Sequence, residues 1–207
     1  MWDNGQIEWV IQYKNGKPDG PSTGWYSNGQ KWLELTYKGD KLMAAVAWKR
    51  NGEMSETNVV NGNGVVVYGY YENGQKQSQL NFKDGKMDGL GTRWYRNGQM
   101  EKEVTYKDGK KDGLLTEWYG NGQKRSELNY KDGKEDGLTT LWYENGKKKG
   151  EGTYKGDKLM TAVIWKPNGE KCPETNIVDG NGIAVFYNDD GTENRRQTCK
   201  DGDWVED

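Results

Sequence analysis

The chain has 207 residues, of which 30 are glycine and 32% are hydrophobic. Lysine and arginine total 30 against 32 aspartate and glutamate, for a net charge of −2, and there is no histidine. These figures exclude a membrane-spanning helix, which needs about 20 apolar residues in a row, imidazole-based zinc and general-base chemistry, and a net basic field for nucleic acid. Ten tryptophans and 13 tyrosines set the chain apart from disordered sequences, which are poor in aromatics.

In chain order, Met1-Trp2-Asp3-Asn4-Gly5-Gln6 corresponds to the middle of a repeat whose full copies follow. Neither a basic n-region nor an apolar h-region is present, so nothing reads as a signal peptide. Two readings of localisation stay open: a cytoplasmic protein with a short first unit, or an exported one whose leader was removed. The first full unit covers 13–37, with Asn15-Gly16, Asp19-Gly20, Trp25-Tyr26 and Asn28-Gly29. A longer block at 36–64 ends in Asn61-Gly-Asn-Gly64. The stretch 82–154 holds three 24-residue units, in which Trp94, Trp118 and Trp142 fall 24 apart, as do Asn97, Asn121 and Asn145. The long block then returns at 153–182. Trp48 and Trp165 are 117 apart and Gly64 and Gly182 are 118 apart, so one residue was inserted between them. No linker interrupts the run, and one continuous domain over 1–207 is expected. The acidic tail Asp201–Asp207 is placed to cap the last strand.

Each unit reads as two short strands and two tight turns. Asn-Gly and Asp-Gly favour type I′ turns, where both central residues have positive φ. Asn97, Asn121 and Asn145 are therefore expected in the left-handed region, each followed by glycine. Gly39-Asp40 and Gly156-Asp157 put glycine first, which predicts type II′. Runs such as Ser126–Tyr130, Glu103–Tyr106 and Glu34–Tyr37 alternate apolar and polar, the period of a half-buried strand. Roughly 17 antiparallel strands of about 5–8 residues, about 4.8 Å apart, would make an elongated all-β meander about 80 Å long if it stayed a single ribbon.

The pattern Gly-x-x-x-x-Trp-Tyr-x-Asn-Gly-Gln/Lys followed by Tyr-Lys-Asp-Gly-Lys-x-Asp-Gly resembles the MORN repeat. It is most similar to the bacterial variant found in proteins labelled antitoxins of toxin–antitoxin pairs. The resemblance covers nearly the whole chain and is loosest at 38–70 and 155–207. It implies stacked antiparallel hairpins in an elongated curved sheet, association with protein or lipid, and no catalysis.

The residues themselves carry no catalytic constellation. Ser22, Ser27, Ser55, Ser78 and Ser126 have no motif around them. The aspartates sit in Asp-Gly pairs, where tolerance of positive φ accounts for them. Asn61–Gly64 and Asp179–Gly182 are not phosphate loops, because no helix follows them. Calcium would need a ligand order that the Asp-Gly clusters lack. No cofactor is expected. Cys172 and Cys199 read in two ways: as a disulfide, if the segment at Cys172-Pro173 is a loop that reaches over an intervening strand, or as two buried thiols.

The aromatics are the strongest functional candidates. In Trp25-Tyr26, Trp94-Tyr95, Trp118-Tyr119 and Trp142-Tyr143 the two rings of a pair point to opposite sheet faces. One stripe, with Leu128 and its equivalents, is expected to form a thin core. The other is expected to bind a partner protein, a peptide or a sugar. Alternation does not say which is which, since a bulge inverts parity. Lys41–Lys49 and Lys158–Lys166 are apolar on both faces, so a second layer is expected there, by folding back or by self-association. The leading functional reading is a non-catalytic protein-binding scaffold of antitoxin or immunity type, with an unidentified protein partner. The alternative is an envelope or secreted protein that binds carbohydrate or a host protein through the stripes.

Overall fold

The computed structural model describes Asp3 and residues 5–205. The mid-repeat reading at Met1, Trp2 and Asn4, and the part of the acidic tail at Glu206 and Asp207, lie outside the described residues. The described chain is all β, with 17 strands and no helix. It divides into two compact units where the sequence reading has one continuous run. The reason is visible in the packing: each long block supplies a hydrophobic core of its own.

The first unit contains β1 (Trp9–Lys14), β2 (Lys17–Trp25), β3 (Lys31–Lys38), β4 (Lys41–Ala47), β5 (Val59–Val60), β6 (Gly64–Val67), β7 (Ser78–Lys83) and β8 (Lys86–Trp94). Strands β1 to β5 form one antiparallel sheet in chain order, and β6, β7 and β8 pair in the same consecutive way. β9 (Met100–Lys107) contributes residues to both units. The second unit is built from β10 (Lys110–Trp118) from its second residue on, β11 (Lys124–Lys131), β12 (Lys134–Trp142), β13 (Lys148–Lys155) and β14 (Lys158–Ile164). It ends with β15 (Gly182–Tyr187), β16 (Glu193–Lys200) and β17 (Asp203–Val205). Within it, β10 to β14 pair consecutively, and β15, β16 and β17 form a separate three-stranded sheet.

Two kinds of turn alternate. At Asp84-Gly85, Asp108-Gly109 and Asp132-Gly133 both residues have positive φ, the type I′ geometry that matches strand twist. Gly39-Asp40 (56° and 72°) and Gly156-Asp157 (57° and 72°) also place both residues at positive φ. These turns are therefore type I′ and not the expected type II′; aspartate accepts the second left-handed position as glycine would.

The Tyr-x-Asn-Gly-Gln loops differ from expectation in another way. Gly98, Gly122 and Gly146 have φ of 83°, 85° and 80°, whereas Asn97, Asn121 and Asn145 are not at positive φ. The Tyr119 amide donates to the Gln123 carbonyl and the Gly122 amide to the Tyr119 carbonyl. The asparagine's role is carried by its side chain. Asn121 Oδ1 accepts the Gln123 amide at 2.9 Å, while its Nδ2 donates to the Glu144 carbonyl of the next unit at 3.1 Å. Asn145 makes the same pair of bonds to Lys147 and Pro167.

The second Asp-Gly of each unit is not a turn at all. Asp88, Asp112 and Asp136 lie inside β8, β10 and β12. Their carboxylates accept backbone amides of the following turn: Asp108 at 3.3 Å, Asp132 at 3.1 Å and Gly156 at 3.3 Å. Positive-φ tolerance thus accounts for only the first aspartate of each unit; the second acts as a cap on its neighbour.

In the first unit, Leu33, Leu35, Leu42, Ala45, Ala47, Val59 and Val66 form a buried cluster. In the second, Leu159, Ile164, Ile177, Ala184 and Val185 do so, together with both cysteines. The apolar sides of 41–49 and 158–166 are thus covered by later segments of the same unit. Folding back within the chain supplies a second layer there. The segment 171–178 is irregular rather than a strand and reaches over the core, bringing Cys172 into the cluster that contains Cys199. Both cysteines are buried free thiols.

Candidate functional site

The tyrosine hydroxyls make one hydrogen bond that recurs along the chain. Tyr71 donates its hydroxyl to the Trp94 carbonyl at 2.9 Å, Tyr119 to Trp142 at 2.7 Å and Tyr143 to Trp165 at 2.8 Å. Tyr26 makes the same bond to Trp48 at 2.9 Å. Each bond joins one repeat to the main chain of the next repeat in the same unit. Tyr26 and Tyr143 are 5% and 1% exposed, and Tyr95 and Tyr119 are half-buried. Burial, with the nearby charge of Asp189, pushes the Tyr143 phenol up to about 12. A phenol that donates and resists ionisation is suited to a structural staple.

Trp25, Trp94, Trp118 and Trp142 are all half-buried. Strand register explains what surrounds them. Trp118 pairs with Lys124 and Trp142 with Lys148, each beside a register shift. That bulge turns the lysine to the tryptophan side. Lys124 Nζ then lies 5.9 Å from the centre of the Trp142 ring, and Lys148 Nζ lies 5.6 Å from that of Trp165. The same lysines pair with Glu127 and Glu151. Contacts of this kind are worth about 0.5–1 kcal/mol at exposed sites.

The strands of Trp94, Trp118 and Trp142 each also carry an exposed leucine that aromatic counting misses. Leu90, Leu114 and Leu138 are 41%, 45% and 46% exposed. Each stands four residues before a tryptophan of its strand, so alternation places leucine and tryptophan on one face. The signal was present as a leucine recurring every 24 residues directly after Asp-Gly. On the opposite face Leu115 and Ser126 are buried while Leu141 is 36% exposed, and Ser126 Oγ bonds Glu117 at 2.9 Å. Burial raises the Glu117 pKa, but hydrogen bonds from Lys102 and Ser126 outweigh it and hold the carboxyl below its usual value.

Cys172 and Cys199 sit away from these stripes. Burial pushes the Cys172 thiol up, but the Tyr187 hydroxyl, 3.2 Å from its sulfur, and neighbouring amides bring it below normal. Burial raises Cys199. The structure therefore brings the two cysteines into one core and ties Tyr26, Tyr119 and Tyr143 to the next repeat, while the tryptophans stand half-buried.

Comparison with known families adds one finding. The sequence model of the MORN repeat variant matches residues 18–38, 65–84, 87–108, 111–132 and 135–155, about half of the chain. These segments coincide with the hairpins described above. No curated protein matches the chain.

Proposed function

We propose that this chain, which belongs to the MORN repeat variant family, is a non-catalytic scaffold that binds a partner protein on the face carrying tryptophan and leucine. One observation carries the reading. In the second unit the tyrosines are used up in bonds between successive repeats, whereas the strand faces that bear Trp118 and Trp142 also expose Leu114 and Leu138. Large apolar side chains repeated on one face, rimmed by Lys-Glu pairs, have the composition of an interface with aromatic anchors. The finer role of antitoxin or immunity-type protein, with a toxin as partner, fits a scaffold of this class and rests on the sequence resemblance. Fold alone does not assign it.

The test uses a double variant, Leu114→Asp with Leu138→Asp. Both leucines are exposed, so thermal unfolding should stay within about 1 kcal/mol of the parent. Affinity capture from the native cytosol, with the parent and the variant side by side, should recover a protein that the parent retains and the variant loses. Equal retention by both would remove this face from the function. Identification of a toxin in the captured fraction would establish the finer role.

A further inference from the structure

The first unit carries an aromatic pocket, open to solvent on one side, that the tryptophan and leucine face does not involve. Its volume is about 360 Å³, within the range of small-molecule sites, about 300–1,000 Å³. Trp9 and Trp32 form one wall, with ring centres 5.3 Å apart and planes at 45°. Tyr26 stands 6.4 Å from Trp32. The rings can lie there because position 24 is glycine: a Cβ would come within 2.3 Å of the Trp9 ring and 2.6 Å of Trp32 Nε1. Arg50 lies over Tyr26, 4.9 Å from the ring centre. Glu8, Tyr70 and Gln77 complete the wall.

Two further observations mark the cavity as a binding site. Tyr70 is 4% exposed, yet its hydroxyl has no hydrogen-bond partner among the described residues. Arg50 Nε is likewise buried without a partner. Buried polar atoms are normally satisfied, and an exception asks for a reason. The copy of this region that leads into the second long block supplies an internal comparison. At the offset of 117 that relates Trp48 to Trp165, Tyr26 corresponds to Tyr143, but Trp9, Trp32 and Arg50 correspond to Ser126, Lys149 and Pro167. Lys149 there lies over Tyr143 at 5.0 Å. The block folds with a lysine in that place, so the aromatic cavity is not a requirement of the fold.

From this wall we infer that the cavity binds a neutral sugar ring. A cationic ligand is opposed by Arg50, which already occupies the face of Tyr26. An anionic one is opposed by the negative faces of the Trp9, Trp32 and Tyr26 rings. What remains favoured is a neutral group with an apolar face to lie on tryptophan and hydroxyls that both donate and accept. Arg50 Nε requires an acceptor, the Tyr70 hydroxyl takes either role, and Gln77 offers both. This inference does not depend on a protein partner binding elsewhere.

The test is an array of neutral mono- and oligosaccharides probed with the full chain, followed by calorimetric titration of the best binder. Benzoate and tetramethylammonium serve as anionic and cationic probes. Saturable binding of a neutral sugar is expected. Tyr70→Phe removes only an unpartnered hydroxyl, so its melting temperature should equal or exceed the parent's while affinity falls about tenfold. Trp32→Lys, which installs the second block's residue, should abolish binding. The inference is overturned if no neutral sugar binds, if either charged probe binds in preference, if Tyr70→Phe binds like the parent, or if Tyr70→Phe melts lower.

Discussion

Gly122 shows how much one backbone position decides. It sits at φ 85° in the Tyr-x-Asn-Gly-Gln loop, and its amide closes the turn onto the Tyr119 carbonyl. A β-branched side chain is strongly disfavoured there. Gly122→Val is expected to cost on the order of 1–3 kcal/mol, read as a shift in the urea midpoint at constant slope. An unchanged midpoint would show that the loop adopts another conformation at no cost. The glycine was legible in the sequence; the role of its neighbour was not. Asn-Gly suggests two left-handed residues, and that pattern holds at Asn15-Gly16 and Asn61-Gly62. In the longer loops the asparagine's side chain bonds both its own turn and the next unit's carbonyl. A partner 23 residues away has no local signature. Asp88, Asp112 and Asp136 escaped for the same reason, since the amides they cap lie 20 residues on.

At the scale of the element, each strand pair is clamped to the next at both ends. Aspartate carboxylates hold the type I′ turns, and tyrosine hydroxyls hold the tryptophan carbonyls. That division of labour gives the bonded tyrosines a structural role. Period-2 alternation put tryptophan and tyrosine on opposite sides, but the bulges at Glu117/Trp118 and Leu141/Trp142 kept the sequence from saying which side is closed. Tyr71→Phe, Tyr119→Phe and Tyr143→Phe should each lower stability by about 0.5–1.5 kcal/mol, the net worth of one hydrogen bond. Tyr143→Ala, at a buried ring, should cost about 3–5 kcal/mol. Trp118→Ala, at a half-buried ring, should cost less. Chemical denaturation of the five variants checks the order. If Trp118→Ala is as damaging as Tyr143→Ala, the tryptophan side is as closed as the tyrosine side, and the proposed interface is absent.

At the scale of the whole molecule, the duplicated block was legible because its length and its doubly apolar strands stand out from the 24-residue units. Its consequence was not. Strand patterns say that Lys41–Lys49 and Lys158–Lys166 must be covered, but not that residues 59–66 and 177–185 of the same unit do the covering. Two separate cores follow, and repeat architectures lose stability locally, since each part leans chiefly on its neighbours. Leu33 is fully buried in the first core. Leu33→Ala is expected to cost about 2–5 kcal/mol through lost burial and the cavity left behind. That loss should be confined to one unit. Hydrogen exchange read by mass spectrometry should show faster exchange across β3, β4 and β6 in the variant. Protection across β14, β15 and β16 should keep its parental value. Faster exchange in both sets of strands, by the same factor, would mean that the two cores unfold as one cooperative block. The chain would then have to be treated as a single two-state domain.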